Sequence, residues 1–240
     1  SCEYFEQRKP ARRPLGEEFV RSARRNWVRT AIADTSGKQL TFGRLLTASV
    51  AASKLIEPQL GCARHIGILL PASVGGTLAN MAVSLLNRIP VNLNFTASKA
   101  AFASAIDQCG IRTVLTSRRF LDKIGPLDLP SPIYVEDVLA DLQLDPGLKW
   151  RAFLQARFWP RRRLVGASGF NADQVATIIF SSGSTGEPKG VMLSHHNILS
   201  DIESLRMLVE PSPQDVLGAV LPLFHSFGFT ATMWYPLLSG

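Results

Sequence analysis

Apolar and polar positions along this chain change period several times. Leu15, Phe19 and Ala23 recur at helical spacing, which predicts a helix over Leu15–Asn26 with those three on one face. Thr30–Asp34 and Gln39–Thr41 are short extended runs on either side of Ser36-Gly37, a hairpin signal. Thr41 then caps a helical run over Phe42–Ile56. From there strand and helix alternate. Strands are expected at His65–Leu70, Ile89–Asn92, Arg112–Thr116, Ile133–Val135, Val175–Phe180 and Val216–Leu221, with a strand-like run at Val191–Leu193. Helices are expected at Val74–Asn87, Ser98–Cys109 with Ser98 as cap, His195–Val209 and Phe227–Leu238. This alternation predicts an α/β fold with a mostly parallel sheet flanked by helices. Residues 1–14 read as a polar lead-in or linker.

Two uncharged stretches, Ile66–Leu86 and Val216–Gly240, are long enough to suggest membrane spans. Pro71, Gly75, Gly76 and Asn80 interrupt the first, and Pro222, His225, Gly228 and Pro236 the second. Both read better as a buried strand, a turn and a buried helix. With 240 residues and 46% hydrophobic content the chain can bury a substantial core. Cys2, Cys62 and Cys109 show neither metal-like nor paired spacing, which fits a reducing compartment without a disulfide framework. The charged stretch Ser1–Glu18 does not read as a secretory signal.

The formal net charge of +7 is clustered. Bases crowd the first thirty residues, and Lys149–Arg163 holds six bases and no acid. That second cluster lies in Pro146–Asn171, which interrupts the strand–helix alternation and mixes bases with Trp150, Phe153, Phe158 and Trp159. On a helix, Leu148, Ala152, Ala156 and Trp159 share a side, while Trp150, Leu154 and Phe158 lie elsewhere. The segment reads either as an interfacial element that meets anionic membrane or as an insertion packed on its own domain. Base-plus-aromatic surfaces also suit nucleic acid, but no nucleic-acid motif accompanies this one and none is expected as a partner.

The chemistry concentrates in VATIIFSSGSTGEPKG, Val175–Gly190. A strand-like run enters a loop whose glycines, Gly183, Gly186 and Gly190, allow close backbone approach. Ser181, Ser182, Ser184 and Thr185 bring hydroxyls, and Lys189 a mobile positive charge. This is a composition suited to phosphate, with a plain Gly/Ser-rich hairpin as the alternative. A Walker A loop is excluded: Lys189 is followed by Gly190 rather than Ser or Thr, and a strand follows rather than a helix.

SSGSTGEPKGVMLSHHN, Ser181–Asn197, resembles the signature loop of the adenylate-forming enzymes: acyl-CoA synthetases, luciferases and peptide-synthetase adenylation domains. LPLFHSFGF at Leu221–Phe229, LTFGRLL at Leu40–Leu46 and NRIPVNLN at Asn87–Asn94 stand in the family's order, so the resemblance covers about residues 28–240. It implies the first part of the family's large N-terminal domain, with 1–27 as a basic lead-in containing a helix and 146–171 as an insertion. It also implies ATP with Mg2+, and a carboxylic acid converted to an acyl-adenylate and then to a thioester. Ser181, Ser182, Gly183, Ser184, Thr185, Gly186 and Lys189 match the loop that holds the β- and γ-phosphates, with Thr185 and Lys189 as catalytic candidates. His225 matches a residue near the carboxylate, where a lone His would otherwise read as structural. Phe224, His225, Phe227 and Gly228 would line the acyl entrance. His195 and His196 read as caps or surface residues, since adjacent helical side chains diverge by about 100° and make a poor ligand pair. No metal site is expected.

The family's later motifs for adenine, ribose and metal, and its C-terminal catalytic lysine, are absent from this sequence. The chain is therefore expected to be a front fragment, inactive alone. Within the family, Ile89–Thr96, Arg24–Trp27, Ala33-Asp34 and Gly37-Lys38 resemble the acyl carrier protein synthetase / 2-acylglycerophosphoethanolamine acyltransferase type, with a long-chain acyl-CoA synthetase as the alternative and an inert α/β binding module as a third. The resemblance implies a fatty acid, and an acyl carrier protein or CoA, as partners. The expected location is the cytoplasm, or the inner face of the cell membrane as a peripheral protein.

Overall fold

The computed structural model describes residues 2–166, 169–181, 188–209, 211–212 and 214–240. The chain opens with α1 (Cys2–Arg8) and a 3-10 turn (Lys9–Ala11), followed by α2 (Leu15–Arg25), the strands β1 (Thr30–Ala33) and β2 (Gln39–Thr41), and α3 (Phe42–Leu60). The middle runs β3 (His65–Ile68), α4 (Val74–Leu85), β4 (Ile89–Asn92), α5 (Lys99–Cys109), β5 (Val114–Thr116), α6 (Arg118–Ile124), β6 (Pro132–Tyr134) and α7 (Val135–Leu144). Next come α8 (Pro146–Phe158), α9 (Arg161–Leu164), β7 (Val175–Ser181), β8 (Lys189–Ser194) and α10 (His195–Leu208). A π-helix (Gly228–Trp234) and α11 (Tyr235–Ser239) close it. Among the described residues no helix is long and apolar enough to cross a membrane.

The expected α/β architecture is present. β4, β3, β5 and β6 form a four-stranded, wholly parallel sheet in that order. Helix starts follow the sequence signals: the side chains of Thr41, Ser73, Ser98 and Ser117 accept backbone N–H bonds at the heads of α3, α4, α5 and α6. Asn87 takes φ 54° in the turn before β4, a left-handed conformation that Asn tolerates. Strand order reverses between β3 and β5, so their C-terminal ends border the crevice where open α/β sheets bind ligands. There the Thr116 hydroxyl, buried, donates to the Leu69 carbonyl at 3.0 Å.

β7 and β8 form a separate antiparallel pair. In β4 the Ile89 and Leu93 amides donate toward β3, so Pro90, one residue out of step, would offer its donor to the other edge and has none. β7 is held beside that edge by a side chain instead, the Thr177 hydroxyl donating to the Pro90 carbonyl at 2.7 Å.

The polar lead-in or linker expected at residues 1–14 holds α1 and a 3-10 turn, and its bases find acids on later elements. Arg8 and Arg12 both pair with Glu203 of α10, at 2.9 and 2.7 Å, and Lys9 pairs with Asp173 at 2.7 Å. One expectation is corrected: Val216–Leu221 is not a strand. Among the described residues no strand pairs with it, and Val216 and Val220 stand exposed. A short apolar run becomes a strand only where a neighbouring edge takes its backbone bonds.

Candidate active site

β7 is an apolar run buried along most of its length, as a strand covered on both faces must be. β8 is exposed over its first four residues. The register sets Ser181 opposite Lys189 and Phe180 opposite Gly190. Glycine leaves room at 190, where a Cβ would come within a tight 3.1–3.2 Å of the Ile178 and Phe180 side chains. Ser181 and Lys189 are exposed and face each other across the mouth of the hairpin. Among the described residues Lys189 enters no ion pair. The remaining loop candidates, Ser182, Gly183, Ser184, Thr185 and Gly186, lie outside the described residues. The loop's exit is tied down by Gln108 of α5, whose side-chain amide donates to the Pro188 carbonyl at 3.0 Å. Sequence gives no signal for Gln108, because that bond links positions 80 residues apart to a backbone atom.

The second group of candidates sits on one segment. Leu223 is buried, Phe224 half-buried, His225 and Phe227 exposed, and Gly228 buried. Phe224 meets Phe95 edge-on at 5.1 Å, and Phe95 meets Phe120 edge-on at 5.0 Å. Phe95 follows β4 and Phe120 lies in α6, directly after β5. The aromatic chain therefore carries the His225 segment over the C-terminal ends of the sheet strands, beside the crevice. The sequence gives no signal that Phe95 and Phe120 form a chain with Phe224, because they lie more than a hundred residues before it. The His225 amide turns back onto the Pro222 carbonyl, and its own carbonyl accepts from Phe229 at 2.8 Å. A Cβ on Gly228 would fall 2.3 Å from the Pro222 carbonyl oxygen, so this turn admits only glycine. The expected helix over Phe227–Leu238 forms, but its first part is a π-helix, a geometry frequent at functional sites. Among the described residues no hydrogen bond or ion pair joins the His225 segment to Lys189.

His195 and His196 correct another expectation. The cap of α10 is Ser194, in a reciprocal capping box with Asn197. Both imidazoles are buried, because α2 and the chain before it pack over the head of α10. His195 Nδ1 accepts from the Leu15 amide at 3.2 Å, and its ring meets Phe170 edge-on at 5.2 Å. Burial lowers its pKa to about 4. An unfolded His titrates near 6.5, so between those values the unfolded chain binds a proton that the folded chain refuses. Stability from this group is complete above about pH 6.5 and is lost as pH falls toward 4, by up to about 3 kcal/mol. His195→Asn keeps an acceptor for Leu15 and removes that slope. Urea unfolding at neutral and at mildly acidic pH is expected to show a smaller acid loss in the variant, by roughly 2–3 kcal/mol. Equal losses would assign the slope elsewhere.

These features stand in a chain that also aligns with known proteins. A family model described as AMP-binding enzyme matches residues 19–240. The chain belongs to the AMP-binding enzyme family. Among curated members it is 26% identical over 232 residues to a medium-chain fatty-acid–CoA ligase of Escherichia coli (strain K12), covering 94% of this chain and 41% of that one. It is 30% identical over 245 residues to the long-chain-fatty-acid–CoA ligase ACSBG2 of Rattus norvegicus, covering 94% and 36%. The chain thus spans about two fifths of the length of the family relatives it matches. The crystal structure of VinN shares the fold, with a TM-score of 0.74 at 19% identity over 93% of this chain and 56% of that one. The family generally uses ATP with Mg2+. Among the described residues no three His, Cys, Asp or Glu side chains are placed to hold a metal ion.

Proposed function

We propose that the protein carrying this chain activates a fatty acid as its acyl-adenylate and passes the acyl group to the pantetheine thiol of CoA. One observation carries the reading: an exposed hydroxyl and an exposed lysine, Ser181 and Lys189, face each other at the two ends of a hairpin loop whose sequence is rich in Gly, Ser and Thr. A carboxylate oxygen attacks the α-phosphorus of ATP, the bond to the bridging oxygen breaks, and pyrophosphate leaves. The thiol sulfur then attacks the acyl carbon and AMP leaves. Both steps need positioned donors and cations more than a protein nucleophile. Lys189, with the hydroxyls of Ser181, Ser182, Ser184 and Thr185 and the amides of Gly183 and Gly186, would hold the departing phosphates. His225 would orient the carboxylate, with Phe224, Phe227 and Gly228 at the acyl entrance. Fatty-acid–CoA ligases among the relatives support the acid and the acceptor.

A second reading replaces CoA by an acyl carrier protein and links the reaction to phospholipid acylation. It is favoured by the Ile89–Thr96 segment and by Arg24–Trp27. The described free thiols, Cys62 and Cys109, suit a reducing, cytoplasmic setting, with peripheral contact at the membrane as part of this reading. In the full-length protein, fatty acids are expected to drive exchange of labelled pyrophosphate into ATP. Supplying CoA or a holo-carrier protein to the pre-formed adenylate then separates the two acceptors. Absence of exchange with every acid tried would overturn the proposal.

A further inference from the structure

We propose that the outward face of α8, together with the α9 arginines, docks on an anionic lipid bilayer. α8 carries two apolar stripes. Ala152 and Ala156, both wholly buried, seat it against the core and α3. On the opposite side Trp150, Leu154, Arg157 and Phe158 follow one another at i, i+4, i+7 and i+8, which places them on a single face. Trp150 is 62% exposed and Phe158 68%, and Trp159 and Leu144 at the two ends are exposed as well. A helix packed only on its own domain has no use for the second stripe.

The face is rigid. Arg24 of α2 donates to the carbonyls of Gln155, Ala156 and Trp159, at 3.2, 2.7 and 2.6 Å, and so closes the C-terminal end of α8. Trp150 lies flat on Phe153 at 5.4 Å, and Phe153 meets Trp27 edge-on at 5.8 Å. The Arg157 guanidinium stands over the Trp27 and Phe158 rings. Trp150 and Phe158 are therefore held about 12 Å apart along the helix axis, as an interfacial helix lying in the membrane plane requires.

Charge points to the same partner. Lys149, Arg151, Arg157, Arg161, Arg162 and Arg163 surround the rings, and two nearby acids are engaged elsewhere. Asp145 caps the head of α8, and buried Glu17 faces Arg161 at 3.5 Å and Arg13 at 3.4 Å. Burial first, and then the charges of Arg161 and Arg157, hold the Arg24 pKa below its ordinary value. Tryptophan rings suit headgroup depth and arginines suit lipid phosphates. The like charges oppose pairing between two copies of this face.

The test is co-sedimentation of the chain with vesicles of phosphatidylcholine alone or mixed with phosphatidylglycerol, which needs no catalytic activity and so stands apart from the proposed reaction. Binding is expected only with the anionic lipid, and is expected to weaken with salt. Replacing Arg161, Arg162 and Arg163 by Gln is expected to weaken it by roughly 100-fold, about fivefold per charge. Trp150→Ser with Phe158→Ser is expected to reduce quenching of tryptophan emission by brominated acyl chains, the remainder coming from Trp159 at the end of the same face. Arg162, Arg163, Trp150 and Phe158 are exposed and Arg161 is half-buried against Glu17, so circular dichroism checks that each variant is folded before its binding is read. Equal sedimentation with both lipids, or binding unchanged in the arginine variant at low salt, overturns the proposal. So does binding to an acidic carrier protein without binding to vesicles.

Discussion

Lys189→Ala in the full-length protein is expected to slow acyl-adenylate formation by about 10- to 150-fold while leaving thioester formation from pre-formed adenylate nearly unchanged. The expectation rests on where the lysine stands. It opens β8, opposite Ser181, at the mouth of a loop composed for phosphate. It is exposed and enters no ion pair among the described residues. A charge-assisted bond to a phosphate is worth about 1.5–3 kcal/mol. Pyrophosphate leaves in the first half-reaction only, so the loss should fall there. Thr185→Ala is expected to act in the same direction. Because Lys189 is exposed, its removal should leave the unfolding midpoint nearly unchanged, which separates lost chemistry from lost structure. Single-turnover measurement of the two half-reactions gives the answer, and equal slowing of both would remove Lys189 from the phosphate site.

Phe19→Ala is expected to destabilise the fold by about 3–5 kcal/mol. Phe19 is wholly buried, as are Val20 and Ala23 beside it, in a cluster that includes Leu45 and Leu46 of α3, Met81 of α4 and Trp234 near the C-terminal end. Truncating a ring at such a position removes its transfer free energy and leaves a cavity that its neighbours fill only partly. The consequence concerns organisation: α2 would then be a structural member of the adenylate-forming domain, and a chain trimmed at residue 27 would lose the centre of its core. Equilibrium urea unfolding measures the change through the midpoint at constant m-value. A loss below about 1 kcal/mol, typical of surface substitutions or milder, would make α2 an accessory to a domain that starts later.

The elements most legible in the sequence were those whose cause is local. Thr41 and Ser98 cap the helices expected of them, Ser36-Gly37 turns the β1–β2 hairpin, and Ile89–Asn92 is the strand its residues describe. Periodicity placed Phe19 inside correctly. At the candidate site the loop and the His225 segment were both recognisable, because glycines and hydroxyls at fixed spacing leave a mark. Their supports were not. Gln108 reaches the loop's exit through a single side-chain bond, and Phe95 reaches Phe224 from a strand end more than a hundred residues earlier.

What the sequence by itself determined, then, is the alternation of strands and helices, the parallel α/β class, and the family to which the chain belongs. Backbone preference, side-chain period and capping act within a few residues and need no partner. Tertiary structure decided the rest. It left Val216–Leu221 without an edge to pair with, although the run is as apolar as a strand. It folded the first residues into helix by giving Arg8 and Arg12 a shared partner in Glu203. It buried His195 under Leu15, where desolvation outweighs the imidazole's preference for charge at acid pH. It also turned the alanine stripe of α8 inward and the aromatic stripe outward. Both stripes have helical spacing, so the sequence pattern alone could not rank them. Ala152 and Ala156 let α8 approach α3 closely, and once they are seated the rings have only solvent or a partner to face.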